Sequence, residues 1–438
     1  MLRRAALSAI AAAMAAAGCA SSGAIPDKTT VDAALRERIS HGIRLDDATA
    51  MPADVNLGDG LSPEEAVALA LWTNPSFLVT LDDLGFARAD LIEARQLRNP
   101  ILSLLFPWGP KQFEATLQLP IDAIWQRPKR VNAATFDADV VAARLMSDGL
   151  GVMALARTAY LDASAAEARL RLARESARLW GRLRGIADAR LREGDISEFE
   201  ARAVRSEAAM ADASARGAEG DRELTRVQLA TVLGATVPPT SLLTPIDDLP
   251  ISECNALDRL LTDALASRPD VRAAELAMEA AAARVGYEKS RIITMMATLD
   301  ANGSGQQGFE LGPGLGLDLP LNGSAGARAR ATAGLTQAGR RYQAVQAAVR
   351  SELSSGVARV ARAREVLQVW EEQVIGSLQI ERQQAEKAYE AGETPLYTML
   401  DTSRRLITAH RARLDARVDL LIAAIVLDRA VGRSCAFR

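Results

Sequence analysis

Between Pro320 and Pro395 the chain runs without a proline, and this stretch fixes what the rest of the sequence can be. Its larger apolar residues are Val345, Val349, Leu353, Val357, Val360, Leu367, Trp370, Val374 and Leu378, stepping by three, four or seven. That spacing lays one stripe along a helix or coiled coil and predicts a helix over 324–391. At 1.5 Å per residue such a helix is roughly 100 Å long, several times the mean globular helix. It cannot bury its stripe within a compact domain, so the chain must supply neighbours of comparable length.

Residues 1–18 read as a targeting segment. Arg3 and Arg4 are followed by an apolar core from Leu7 to Ala17 that is too short to span a bilayer. Ala16-Ala17-Gly18-Cys19 looks like a lipobox, which makes Cys19 the candidate lipidation site. Ala20 follows where an aspartate would suggest inner-membrane retention, so the expected destination is the outer membrane. Residues 19–60 are polar without sustained periodicity and read as a lipid-anchored N-terminal tether.

From residue 61 onward the same unit is written twice, over 61–253 and 254–438. In the first, Ser62 and Glu65 form a candidate capping box, and Asn74-Pro75 separates two short helices. Strands are predicted at about 101–106 and 112–120, a long helix at 131–192 and a further helix at 199–233. In the second unit Arg268-Pro269 takes the place of Asn74-Pro75. Strands follow at about 296–304 and 309–319, then the long helix 324–391 and a helix at 396–431. The turn glycines Gly194 and Gly392, and the closing glycines Gly234 and Gly432, are equally spaced in the two halves. In each unit the shorter helices, stacked end to end, nearly equal the long one, which predicts an α-cylinder wall with strand hairpins at one end.

Phe113, Ala115, Leu117 and Leu119 alternate with Glu114, Thr116 and Gln118, and Phe309, Leu311, Leu315, Leu317 and Leu319 stand against Glu310 and Asp318. Return strands of about ten residues have the length of a tilted transmembrane strand. Periodicity alone fits a soluble hairpin with one buried face equally well; the export signal and the long helices favour the barrel. One chain offers four strands and the smallest membrane barrels have about eight, so closure needs several copies.

The sequence carries little chemistry of its own. A net charge of −3 gives no basic field for nucleic acid. The two histidines, His41 and His410, lie far apart, and no P-loop, G-x-S-x-G or zinc-ligand pair occurs. No enzyme activity, catalytic residue, cofactor or bound metal is expected. Cys254 and Cys435 both sit just past a closing helix, which places them at similar levels of the cylinder. A disulfide or two free thiols remain open, since spacing does not give the Cα separation a bridge needs.

The ordered motifs resemble the TolC family of outer-membrane efflux proteins over nearly the whole mature chain. Trp125-Gln126-Arg127-Pro128-Lys129-Arg130 is similar to the basic strand-to-helix corner of the heavy-metal efflux (CzcC-like) branch, and Leu319-Pro320-Leu321-Asn322 resembles the second corner. Glu193-Gly194-Asp195-Ile196-Ser197 and Ala391-Gly392-Glu393-Thr394-Pro395 look like the two helical-hairpin tips. The resemblance implies a mainly α fold with β hairpins: a homotrimer whose duplicated long-helix coiled coil forms an α-barrel, with a transmembrane β-barrel shared between protomers. It implies a passive duct in the outer membrane of a Gram-negative bacterium, anchored in outer-membrane lipid and projecting into the periplasm. The expected partners are a periplasmic adaptor (membrane fusion protein) and an inner-membrane pump of the resistance-nodulation-division type. Metal cations are the expected cargo, with drug efflux or type I secretion as alternatives. A lipid-anchored periplasmic coiled-coil scaffold is the alternative of another class.

Site residues follow from the same resemblance. Gly194, Asp195, Ile196, Gly392, Glu393 and Thr394 are expected at the adaptor-docking tips, with the residues beside the glycines exposed. In the family the second tip glycine is followed by two aspartates one helical turn apart that ring the periplasmic entrance. Here the first matching position is Thr398 and the second is Asp401, so the expected constriction keeps half of that pattern.

Overall fold

The computed structural model describes residues 26–45, 51–52, 55–56, 58, 60–106, 108, 113–235, 243–252, 257–291, 293–304, 308–318 and 325–435. The lipobox with Cys19, the corner at 319–322 and Cys254 lie outside them.

In chain order the elements are α1 (Lys28–Ile39), α2 (Pro63–Thr73), α3 (Pro75–Arg95), β1 (Ile101–Leu105), β2 (Phe113–Pro120), α4 (Asp122–Glu193) and α5 (Glu198–Val232). The second half gives α6 (Leu257–Ser267), α7 (Pro269–Ser290), β3 (Thr294–Ser304), β4 (Gly308–Asp318), α8 (Ala325–Gln368), α9 (Gly376–Glu390) and α10 (Leu396–Val431). A π-helical stretch, Val369–Ile375, joins α8 to α9. It widens the helix locally, and Trp370 and Val374 still reach the apolar seam against Leu378, Leu406 and Ala409.

Three boundaries differ from the sequence expectation. The tether contains α1, capped by Asp27, whose carboxylate accepts from the Thr30 amide at 3.0 Å. Val31, Leu35 and Ile39 lie on one face of α1 and, with Ile43, are buried in the main core. Each such side chain contributes about 1.5–3 kcal/mol when fully buried, enough to hold this segment on the body rather than leave it trailing. Secondly, α4 starts at Asp122 and not at 131, so 125–130 is helix rather than a corner. Pro128 sits inside it in the second turn, where the helix forgoes the bond a backbone N–H would make to the Ile124 carbonyl. Arg127 and Arg130 donate to the carbonyls of Arg95 and Ala94 at the C-terminal end of α3, tying the two helices below the sheet. Thirdly, the second long helix is divided by the π-helical stretch.

The helices form a wall. In its upper part the lateral order is α3–α4–α7–α8; in its lower part α4 pairs with α5, and α10 lies between α4 and the α8–α9 helix. Thus α5 continues below α3, and α10 below α7. Both joints are made alike. At the first, Thr73 Oγ1 donates to the Leu233 carbonyl and Asn74 Nδ2 to that of Val232. Gly234, at φ +64°, packs so closely that a Cβ there would lie 2.2 Å from the Thr73 carbonyl oxygen. At the second, Arg268 Nη1 donates to the Ala430 carbonyl at 2.7 Å, beside Gly432 at φ +84°. With 72 residues, α4 spans about 108 Å and outreaches α3 and α5, whose 21 and 35 residues give about 84 Å end to end.

A buried charge cluster fastens the halves together. Arg157 on α4 donates to Asp428 on α10 at 3.0 Å and to Glu64 on α2 at 2.6 Å, and His41 lies 3.1 Å from Glu64. Asp428 also accepts from the Cys435 amide at 2.9 Å. Burial pushes the Glu64 carboxyl up, but the His41 hydrogen bond and the Arg157 charge outweigh it and hold the group below the usual carboxylate range.

The four strands form one antiparallel sheet in the order β1-β2-β3-β4. Its register puts Leu102, Leu117, Leu299 and Pro313 in one row, and Leu119, Ala297 and Leu315 in the next. The alternate rows are mostly polar or small: Glu114 pairs with Asn302, which pairs in turn with Glu310, and Thr116 donates to Asp300 at 2.8 Å. Gly312, Gly314 and Gly316 fall on that polar face. A Cβ at Gly314 would sit 2.5 Å from the Thr298 hydroxyl, so a crowded polar side explains the glycine.

Candidate docking tips and duct

At the far end of the wall the two helical hairpins turn by the same device. Gly194 at φ +83° ends α4; its amide donates to the Leu191 carbonyl and the Asp195 amide to that of Arg190. Gly392 at φ +75° repeats this, its amide donating to Tyr389 and that of Glu393 to Ala388. This is a Schellman closure, which calls for a left-handed residue. The following helices start differently. Ser197 and Glu200 form a capping box, whose hydrogen bonds hold the Glu200 carboxyl below its ordinary range, whereas Pro395 precedes α10 without a side-chain cap.

Asp195 and Glu393 are exposed, but Ile196 and Thr394 are half-buried, correcting the expectation that all four stand free. Ile196 is drawn in because the two tips abut: it packs with Ala187 and Val204 against Leu396 and Met399 of the other hairpin. The tips are also clasped by Arg190, which donates to the Tyr389 hydroxyl at 2.5 Å and lies 4.7 Å from its ring centre. Two residues missed in the sequence stand out instead. Phe199 and Tyr397 are 82% and 73% exposed, and each lies five residues past its tip glycine. That repeat-matched spacing was a signal available in the sequence.

Thr398 and Asp401 lie one turn apart on α10, both half-exposed. Asp401 accepts from Arg404 at 3.1 Å, and Arg404 lies 3.9 Å from Glu207 of the first hairpin. The carboxylate is therefore paired within its own protomer. Cys435 is disulfide-bonded. Among the described residues no group of three or more His, Cys, Asp or Glu is placed to hold a metal ion, and no helix is long and apolar enough to cross a membrane.

The opposite end gives the decisive observation: a sheet with two open edges and an apolar row structure, mounted on a wall of about 108 Å. This combination recurs in solved outer-membrane channels. CusC matches over 89% of this chain and 98% of its own, with a TM-score of 0.73 and 17% identity. VceC of Vibrio cholerae matches over 85% and 96%, with a TM-score of 0.72 and 18% identity. The sequence pattern of the outer membrane efflux protein family matches residues 260–433. Over those residues the chain is similar to that family. It is a family of channel proteins, found in the outer membrane, and the fold is that of the TolC-type channels. Among its relatives, the pyoverdine export outer membrane protein OpmQ of Pseudomonas putida is 27% identical over 62% of this chain. The alignment spans 60% of the length of OpmQ. The cobalt-zinc-cadmium resistance protein CzcC of Cupriavidus metallidurans is 24% identical over 85% of this chain and 90% of its own.

Proposed function

We propose that three copies of the chain close into one duct that serves as the outer-membrane exit of a tripartite efflux system. The open edges of the sheet carry this reading. β1 and β4 each leave a row of backbone donors and acceptors without a neighbour in the sheet order, a state a membrane does not tolerate. Pairing β4 of one copy with β1 of the next removes both edges, and three four-stranded sheets make a barrel of twelve. The same operation brings three helical walls around one axis. Cys19 carries the lipid anchor in this reading. The abutting tips, with Asp195, Glu393, Phe199 and Tyr397 outward, are where a periplasmic adaptor docks and couples the duct to an inner-membrane pump of the resistance-nodulation-division type. Transport energy comes from the pump, so the duct itself needs no catalytic residue or cofactor. The cargo is small solutes, and the likeness to a cobalt-zinc-cadmium resistance protein supports metal among them.

The test is electrophoresis of outer-membrane fractions without and with boiling. A duct of this kind runs as a trimer that heat converts to monomer. A lipid-anchored scaffold with soluble hairpins would run as monomer in both lanes, and that result would remove the proposal.

A further inference from the structure

Just below the sheet, α4, α7 and α8 enclose a trough of about 890 Å³. Alanines and a glycine of the three helices form much of its lining, including Ala133, Ala281, Ala331 and Gly334. Six arginines stand around it, Arg130 and Arg144 from α4, Arg284 from α7 and Arg291 just past its end, Arg330 and Arg341 from α8, against two carboxylates, Asp137 and Glu288. Those carboxylates are already engaged, Asp137 with Arg284 at 2.5 Å and Glu288 with Arg291 at 3.3 Å. Arg130 is turned to the backbone carbonyls of Ala94 and Gln96. Arg144 is offset by Asp148, a turn further along α4. Arg330 and Arg341 have no carboxylate within ion-pair distance among the described residues. The excess extends down α8, which bears eight arginines and two glutamates.

The side of the wall on which the trough lies follows from packing. α7 is the middle helix of the three, and a pocket that all three line is on the concave side of their arc. The opposite side of α4 is covered by α1, where Leu35 packs on Gly149. At 3.6 residues per turn Arg144 lies about 140° around α4 from Gly149. The concave side of a wall that closes with its copies is the lumen.

We infer that this trough is an anion-binding vestibule inside the duct, and that the cargo crosses it as an anionic solute bearing several carboxylates or phosphates. A metal ion would then leave as an anionic complex and not as a bare cation, because three such arginine-lined troughs around one axis repel free cations and attract polyanions. This rests on the duct reading proposed above.

The probe is citrate, added to the barrel side of single channels of the purified full-length protein. Citrate should block the wild type, and R144Q/R330Q/R341Q should raise the half-blocking concentration at least about tenfold, as expected for loss of three charges facing a polyanion. R144K/R330K/R341K should keep the block, which separates charge from packing. Equal block in wild type and the glutamine variant, or no block of a conducting wild type, overturns the inference and leaves the duct intact. If no channels form, the duct reading falls. Calorimetry of citrate with solubilised protein then decides the site: heat in the wild type that the glutamine variant loses supports it, and no heat in either overturns it.

Discussion

Arg157→Met takes a guanidinium out of the junction where α1, α2, α4 and α10 meet. Arg157 is 2% exposed and Asp428 0%, so the substitution leaves a carboxylate in the core without its cation. Breaking a buried pair from one side costs about 3–5 kcal/mol. The lower end applies here, because Asp428 keeps the Cys435 amide at 2.9 Å. Glu64 adds little: its side chain is 39% exposed, and water screens what it loses. A cost of about 3 kcal/mol is more than a hundredfold in the unfolding equilibrium. Denaturant unfolding of the solubilised protein, followed by helical circular dichroism, reads it as a shifted midpoint. R157M/D428N should recover part of the loss, since the amide removes the unpaired charge and keeps an acceptor for the Cys435 amide. The sign with pH is also set. The Glu64 carboxyl is held low, so its contribution is present above its unfolded pKa and fades as pH falls through the folded one. A loss below about 1 kcal/mol in R157M, or a double variant no better than the single one, would refute this reasoning.

Four further outcomes are expected. Cys19→Ser should give a precursor that no longer labels with palmitate; labelled, processed protein would place the lipid elsewhere. Cys435 is bonded, and Cys254 is its expected partner, so non-reducing peptide mapping should find that pair and a Cys254→Ser variant should free the Cys435 thiol. Asp195→Lys with Glu393→Lys, and separately Phe199→Ala with Tyr397→Ala, should abolish export while trimers still assemble; full export by both would move docking away from the tips. Asp401→Asn should raise single-channel conductance and weaken block by multivalent cations. Arg404→Gln, which frees Asp401 from its 3.1 Å partner, should strengthen that block, and unchanged block in both variants would place the constriction at other residues.

Much of the wall was legible because its signals are local. Apolar spacing marked α8 and α9, alternation marked β2 and β4, and the glycines marked both tips and both joints. What escaped depends on partners distant in sequence. α1 has few apolar residues among charges, and only Gly149, small enough to admit Leu35, shows why they are buried. Pro128 reads as a boundary, yet the arginines around it bond the end of α3 and keep the helix going. Ile196 looks like an exposed tip residue until the second hairpin supplies Leu396 and Met399. The arginines of the trough are spread over three helices more than 200 residues apart, from Arg130 to Arg341, so composition gave no hint of their convergence.

In the proposed duct, copies of this chain join sheet edge to sheet edge around a continuous passage. Planar-bilayer recording of the purified, full-length protein addresses it most directly. Discrete, long-lived conductance steps are expected from the heat-dissociable trimer, absent once boiling has converted it to monomer. A flat baseline from well-folded trimer would contradict it.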